Sequence, residues 1–334
     1  MRTLIASLIV FALAQPAVLL ADPPSSSQAA YSKEDVTFQN GAISLAGRVY
    51  MPRVQGWVPG VVFTHGSGDA GRDNFRYAME AEYLADHGIA VLLYDKRGVG
   101  SSTGDWKTAS FEDIAGDAVA AFKFLRSRPG IHSGRVGFRG ASQSGYVLPI
   151  AAAREPAVAF VVLLSPPMVT PYEQILFNIE SELRAAEFSQ PEIDEALTYM
   201  RAGLDYVRTG EGWDTYAKLG TAAKETRWFE IAGGPDSKDD PMLSWLRMII
   251  DFDVMPYAKK MKCPTLVFFA GHDRESPVDK AKPMIEGLFA ERAVSRNRIV
   301  YYPDADHDLR VGKDLVPEYL PTLVGWIQER QARK

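Results

Sequence analysis

"RVGFRGASQSGYVLPIAA", residues 135–152, decides how the rest of the chain is read. A short strand-like run ends at Gly140, a serine stands at Ser142, glycine returns at Gly145, and helical apolar spacing follows at once. Such a corner lifts a hydroxyl off the end of a strand. It also leaves the next N–H, that of Gln143, at a helix N-terminus, where it faces developing negative charge. A serine hydroxyl is a weak nucleophile until a base takes its proton. The corner therefore implies a base elsewhere in the chain.

Outward from it, short apolar runs alternate with amphipathic stretches. Residues 60–66, 89–95, 135–140, 159–165, 265–271 and 298–304 read as strands. Helical spacing lies between them. Residues 74–88 repeat Tyr77, Ala81 and Leu84. Residues 110–130 open on Ser110 and Asp113, a cap-like start, and repeat Ile114, Ala118, Ala121 and Leu125. Further helices are expected at 147–155, near 279–290 and near 317–331, and two strand-like stretches at 36–39 and 43–51 come first. The alternation predicts an α/β fold, a mostly parallel sheet flanked by helices on both faces.

Between Ser165 and Pro264 the strand signal stops. Thr170-Pro171-Tyr172-Glu173, Ser189-Gln190-Pro191-Glu192 and Asp240-Pro241 each read as a helix start. A structureless loop of about 100 residues is foreign to compact domains, so a helical lid insertion is expected at 168–256. It divides the core into 22–167 and 257–334. Trp213, Trp228, Phe229, Trp245 and Phe252 make the lid aromatic; single rings of this kind usually serve packing.

The chain has 334 residues, 46% of them apolar, enough for one large α/β domain with an insertion. Its 37 basic and 42 acidic residues leave a net charge of −5 without any Lys/Arg block, which argues against nucleic acid as a partner. Residues 1–21 read as a signal peptide: Arg2 starts it, an apolar stretch covers 4–14, and Ala21 marks the cleavage point. The apolar stretch is too short for a stable membrane span, so an exported protein, periplasmic or secreted, is expected. Cys263 is the single cysteine and excludes an intramolecular disulfide. No metal motif and no phosphate-binding glycine loop occur, so no cofactor is expected.

In open parallel sheets, functional groups gather beyond the carboxyl ends of strands. His65 to Gly68 follow one strand end, Asp95 the next, then Ser142, Asp273 and His307. Serine, acid and histidine thus occur in the order Ser…Asp…His. That order and the strand–G-x-S-x–helix turn resemble the α/β-hydrolase superfamily. The chain looks closest to secreted esterase-like members related to the dienelactone hydrolase and serine aminopeptidase groups. The resemblance rests on "HGSG" (65–68), "YDKRGVGSSTGDW" (94–106), "GASQSG" (140–145), "GHDRESPV" (271–278) and "PDADHD" (303–308). One departure stands out: Ser144 occupies the second small position, and Gly145 comes one residue later.

The resemblance implies Ser142 as nucleophile, with Ser144 as its rival. It implies His307 as base, with His272 as rival, and Asp273 as the acid that orients the imidazole. Glu275, Asp279, Asp306 and Asp308 compete with Asp273; each also reads as solvated loop charge. Asp95 reads as a brace for its turn. The oxyanion donors are the N–H of Gln143 and one from the 65–68 loop, Ser67 first and Gly66 next. One such donor contributes about 3–4 kcal/mol in the transition state. The implied activity is hydrolysis of a small-molecule carboxylic ester through an acyl-enzyme. Alternatives are an aminopeptidase using Glu180, Glu182 or Glu187 to hold an ammonium, a thioesterase or acyltransferase, and a non-catalytic binding module.

Overall fold

A computed structural model of the protein describes residues 30–292 and 294–329. The expected signal peptide (1–21) lies outside the described residues. Eight strands form one sheet: β1 (Tyr31–Asn40), β2 (Ile43–Pro52), β3 (Val58–Thr64), β4 (Ala90–Tyr94), β5 (Ile131–Ala141), β6 (Val161–Leu164), β7 (Thr265–Ala270) and β8 (Arg298–Tyr302). Their spatial order is β1-β2-β4-β3-β5-β6-β7-β8. β2 pairs antiparallel with β1 and with β4, and the pairs from β4 to β8 are parallel.

Every residue of β3, β4, β6 and β7 is buried, as in strands covered on both faces. Alternation sorts their side chains. Val62, Leu92, Val161, Leu163, Val267 and Phe269 enter one core, and Val61, Phe63, Val91, Leu93, Val162 and Phe268 enter the other. The second core is closed by α1 (Phe75–Asp86) and α11 (Tyr319–Gln328). The first is closed by α2 (Phe111–Arg126), α3 (Ser144–Arg154) and α10 (Val278–Glu291).

Six helices lie between β6 and β7: α4 (Pro171–Ala185), α5 (Gln190–Thr209), α6 (Trp213–Ala223), α7 (Phe229–Ala232), α8 (Pro241–Ile249) and α9 (Met255–Ala258). Capping boxes at Thr170 with Glu173 and at Ser189 with Glu192 start α4 and α5, and Asp240 caps α8. Their apolar faces, with Ile175, Ile179, Leu204 and Leu246, join Phe111, Tyr146 and Leu148 in one continuous core. Trp213, Trp228 and Phe229 pack in tilted contacts among Tyr199, Tyr206 and Tyr216 inside this helical segment. Trp245 and Phe252 instead reach Trp106, Phe111 and Tyr146. No helix among the described residues is long and apolar enough to cross a membrane.

Three differences from the sequence reading have physical causes. β1 starts at Tyr31, five residues before the expected stretch, because Lys33, Glu34 and Asp35 carry no apolar signal on a mostly exposed edge strand. Charge on an edge blocks sheet-to-sheet pairing. The helix after the corner starts at Ser144, three residues earlier than expected, since Ser144 and Gly145 add nothing to an apolar count. A two-strand hairpin, β9 (Arg310–Val311) with β10 (Asp314–Leu315), follows His307 and is too short to show periodicity.

Candidate active site

Ser142 sits between the last residue of β5 and the first of α3 with φ at +52°, a region that residues other than glycine rarely enter. Two backbone bonds hold it there. Its N–H donates to the Leu164 carbonyl (2.8 Å), and its own carbonyl accepts from the Gly145 N–H (2.7 Å). The flanking glycines are steric requirements. A Cβ on Gly140 would lie 2.3 Å from the Ser144 Cβ, and one on Gly145 would lie 2.8 Å from the Pro166 Cβ. The strain is localised where a nucleophile needs to be presented.

Ser144 is fully buried, with its hydroxyl donating to the His65 carbonyl (2.7 Å) and 2.9 Å from Thr64 Oγ1. Its hydroxyl is thus engaged by the protein itself. It ties the 65–68 loop to the start of α3. The loop passes close to the corner, since a Cβ on Gly66 would be 3.7 Å from that of Ser142.

His307 and Asp273 meet across the ends of β8 and β7. The imidazole Nδ1 is 2.8 and 2.9 Å from the two carboxylate oxygens of Asp273. Asp273 Oδ1 also accepts the N–H groups of Glu275 and Ser276, both at 2.8 Å, which fixes the carboxylate in a buried loop. Burial acts to lower the imidazole pKa, but Asp273 and then Glu275 raise it, and the net effect is upward. Glu275 Oε2 lies 3.5 Å from the other nitrogen, Nε2.

Ser165, at the end of β6, joins these loops. Its Oγ donates to the His307 carbonyl (2.8 Å), and its carbonyl accepts from Ser276 Oγ (2.9 Å). Sequence reasoning missed it, although the strand-end rule that picked out Ser142 applies equally to Ser165.

The remaining candidates fall elsewhere. His272 and Asp279 are exposed. Asp306 shapes its own turn by accepting from the N–H groups of Asp308 and Arg310. Asp308 pairs with Arg76. Asp95 accepts from the N–H groups of Arg72 and Ser101 and braces the turn between them. Glu180 pairs with Arg184 and Glu182 lies 3.4 Å from Arg274, while Glu187 is exposed.

Gly66, the second candidate donor of the 65–68 loop, already has a partner. Its N–H donates to Tyr77 Oη (3.1 Å), a partner on α1 that no local sequence pattern reveals. The N–H groups of Ser67 and Gln143 meet no protein acceptor among the described residues. His65 is buried and bonds the Tyr94 carbonyl through Nε2. Burial, reinforced by the Lys96 charge, lowers its pKa to about 3, so the ring is neutral. Beside Ser67 and Gln143 lies a cavity of about 20 Å³, walled by Tyr146, Ile175, Trp245, Leu246 and Ile249. Among the described residues, no group of three or more histidine, cysteine, aspartate or glutamate side chains is placed to hold a metal ion.

The sequence profile of the family described as X-Pro dipeptidyl-peptidase (S15 family) matches residues 40–224, just over half of the chain. The esterase EstD of Thermotoga maritima is 30% identical over 297 residues, which cover 87% of this chain and 63% of that protein. The thiohydrolase aneE of Aspergillus aculeatus is 31% identical over 137 residues, 41% of this chain and 42% of that protein. The matches thus span less than two thirds of either relative. An esterase structure from Pyrococcus furiosus shares the fold, with a TM-score of 0.58 over 90% of this chain and 91% of that one, at 18% identity.

Proposed function

The chain belongs to the X-Pro dipeptidyl-peptidase (S15) family, on the α/β-hydrolase fold, and from that premise we propose that it is a serine hydrolase cleaving carboxylic esters. The observation that carries this reading is the Asp273–His307 pair at 2.8 Å, set at the same carboxyl end of the parallel strands as the strained Ser142. In the proposed reaction Ser142 Oγ attacks the ester carbonyl carbon while His307 Nε2 takes the hydroxyl proton. The carbonyl oxygen becomes an oxyanion that accepts from the N–H groups of Gln143 and Ser67. Collapse breaks the bond to the alcohol, which leaves with the proton from His307. Water, deprotonated by the same imidazole, then cleaves the acyl-enzyme. Asp273 holds Nδ1 protonated, so that Nε2 carries the lone pair. Helices α4 to α9 act as the lid.

The family description favours a second reading, cleavage of a peptide bond after a proline. Against it, two of the three carboxylates available to hold a substrate ammonium, Glu180 and Glu182, face arginines. The names of the relatives, an esterase and a thiohydrolase, support acyl transfer to water from an oxygen or sulfur leaving group. Residues 1–21 support export, and the N-terminus of the protein recovered from an expressing cell tests it.

A panel of chromogenic esters, thioesters and Xaa-Pro amides separates the readings. Esters are expected to turn over fastest. Ser142→Ala is expected to lose on the order of 10⁴-fold in kcat or more, whereas Ser144→Ala keeps the chemistry. Faster turnover of Xaa-Pro amides than of esters establishes the peptidase instead.

A further inference from the structure

Lys96 is the most buried ammonium near the corner and takes no part in the steps above. It follows Asp95 at the end of β4 and is 1% exposed. Its Nζ donates to the Gly66 carbonyl (3.1 Å), the Gly68 carbonyl (3.2 Å) and Gln143 Oε1 (2.9 Å). The face of Trp106 covers it, 4.8 Å from Nζ to the ring centroid. Burying a cation is unfavourable unless every lost water is replaced. Here three acceptors and one aromatic face replace them. Three acceptors require three N–H donors, and a lysine has three only as the ammonium.

The charged groups around it leave this geometry intact. His65 is neutral. Asp69 accepts from Trp106 Nε1 (2.7 Å), Lys107 lies over the same ring at 5.4 Å, and Asp95 is occupied by the Arg72 and Ser101 N–H groups. Burial pushes the Lys96 pKa down to about 7, and the Asp69 charge opposes that shift without bonding the ammonium directly.

Two of the three acceptors of Lys96 bracket Ser67, and the third is the side chain of Gln143. These are the residues whose N–H groups meet no protein acceptor. The two segments follow β3 and β5, parallel neighbours in the sheet, and Ser144 and Lys96 bridge them beside the corner. We propose that Lys96 is a positioning residue that sets the Ser67 and Gln143 N–H groups in one fixed geometry, so that both donate to a single oxyanion. The proposal rests on the ester-hydrolase reading. It assigns Lys96 no proton transfer and no contact with substrate.

An interaction made only with the oxyanion acts on the transition state and leaves ground-state binding nearly alone. The test is a kcat and KM comparison on 4-nitrophenyl acetate for the wild type, Lys96→Met, Gln143→Met and the double variant. Lys96→Met is expected to lower kcat by about 10- to 100-fold with KM within about threefold. Gln143→Met keeps the backbone N–H and cuts one tie, so a smaller loss in kcat is expected. The double variant is expected to be no slower than Lys96→Met, because both changes release the same tie. Additive losses, a change confined to KM, or wild-type kcat in a folded Lys96→Met protein overturn the proposal. If Lys96→Met does not fold, Gln143→Met decides: unchanged kcat in that folded variant overturns it. A wild type that turns over no ester refutes the hydrolase reading itself. A wild type that does, beside unaffected variants, refutes only the role of Lys96.

Discussion

Glu275 sits beside Nε2 of His307, the nitrogen through which the base acts on Ser142 in the proposed reaction. Its carboxylate lies 3.5 Å from His307 Nε2, while Asp273 holds Nδ1. Both carboxylates stabilise the imidazolium, as does Asp308, which Arg76 partly neutralises. Since the base acts only when neutral, ester hydrolysis is expected to rise with pH along an acid limb above the ordinary imidazole range. Glu275→Gln removes one of these charges, so the limb moves to lower pH and activity near neutrality increases. Because Glu275 is half exposed, the move is expected to stay under about one pH unit. A pH profile of kcat/KM checks this; a limb that stays put or moves upward shows that Glu275 does not act on the base. The sequence supplied Asp273 and His307 through strand-end spacing, but Glu275 read there as solvated loop charge. Its closeness to Nε2 depends on how the 273–276 turn folds around the Asp273 carboxylate. The Tyr77 partner of the Gly66 N–H is likewise invisible in the sequence, because it comes from another element.

At the scale of elements, α4 and α8 close the space next to Ser67 and Gln143, the proposed oxyanion donors. The cavity of about 20 Å³ between Ser67, Gln143, Ile175, Trp245 and Ile249 has room for one or two water-sized groups. An acetyl methyl is of that size, and a hexanoyl chain is not. Acetyl esters are therefore expected to be the best substrates in a series of increasing acyl length. Ile249→Ala, on α8, is expected to raise the hexanoate-to-acetate ratio of kcat/KM by roughly tenfold or more. The same change costs about 2–5 kcal/mol of stability, measured by denaturant unfolding. A wild type that prefers hexanoate places the acyl group elsewhere. The starts of α4, α5 and α8 were legible, because proline at their first turns and capping residues are local signals, whereas α6 and α7 carried no such signal. The charged edge strand β1 and the hairpin after His307 were not, since neither carries an apolar period.

Across the whole molecule, the corner and the base loop are joined by more than the site. Asp308, next to His307, pairs with Arg76 on α1. Arg76 Nε lies 3.6 Å from Glu80, and Glu80 lies 2.6 Å from Arg139, three residues before Ser142 on β5. Tyr319 on α11 donates to Glu80 at 3.0 Å. Arg139 and Glu80 are fully buried, so removing either leaves an uncompensated charge in the core. None of this network was legible in the sequence. Its bonded partners are up to 239 residues apart, and charged residues carry no periodic signal. The parallel sheet was legible because its strands are buried on both faces and repeat one pattern. The central claim is that this scaffold serves one nucleophile, Ser142. Treating the wild-type protein with a fluorophosphonate and locating the adduct by peptide mass spectrometry tests it most directly. The account predicts a single phosphonyl adduct on Ser142, lost when His307 is replaced by glutamine; an adduct on Ser144, or none in a protein that hydrolyses esters, contradicts it.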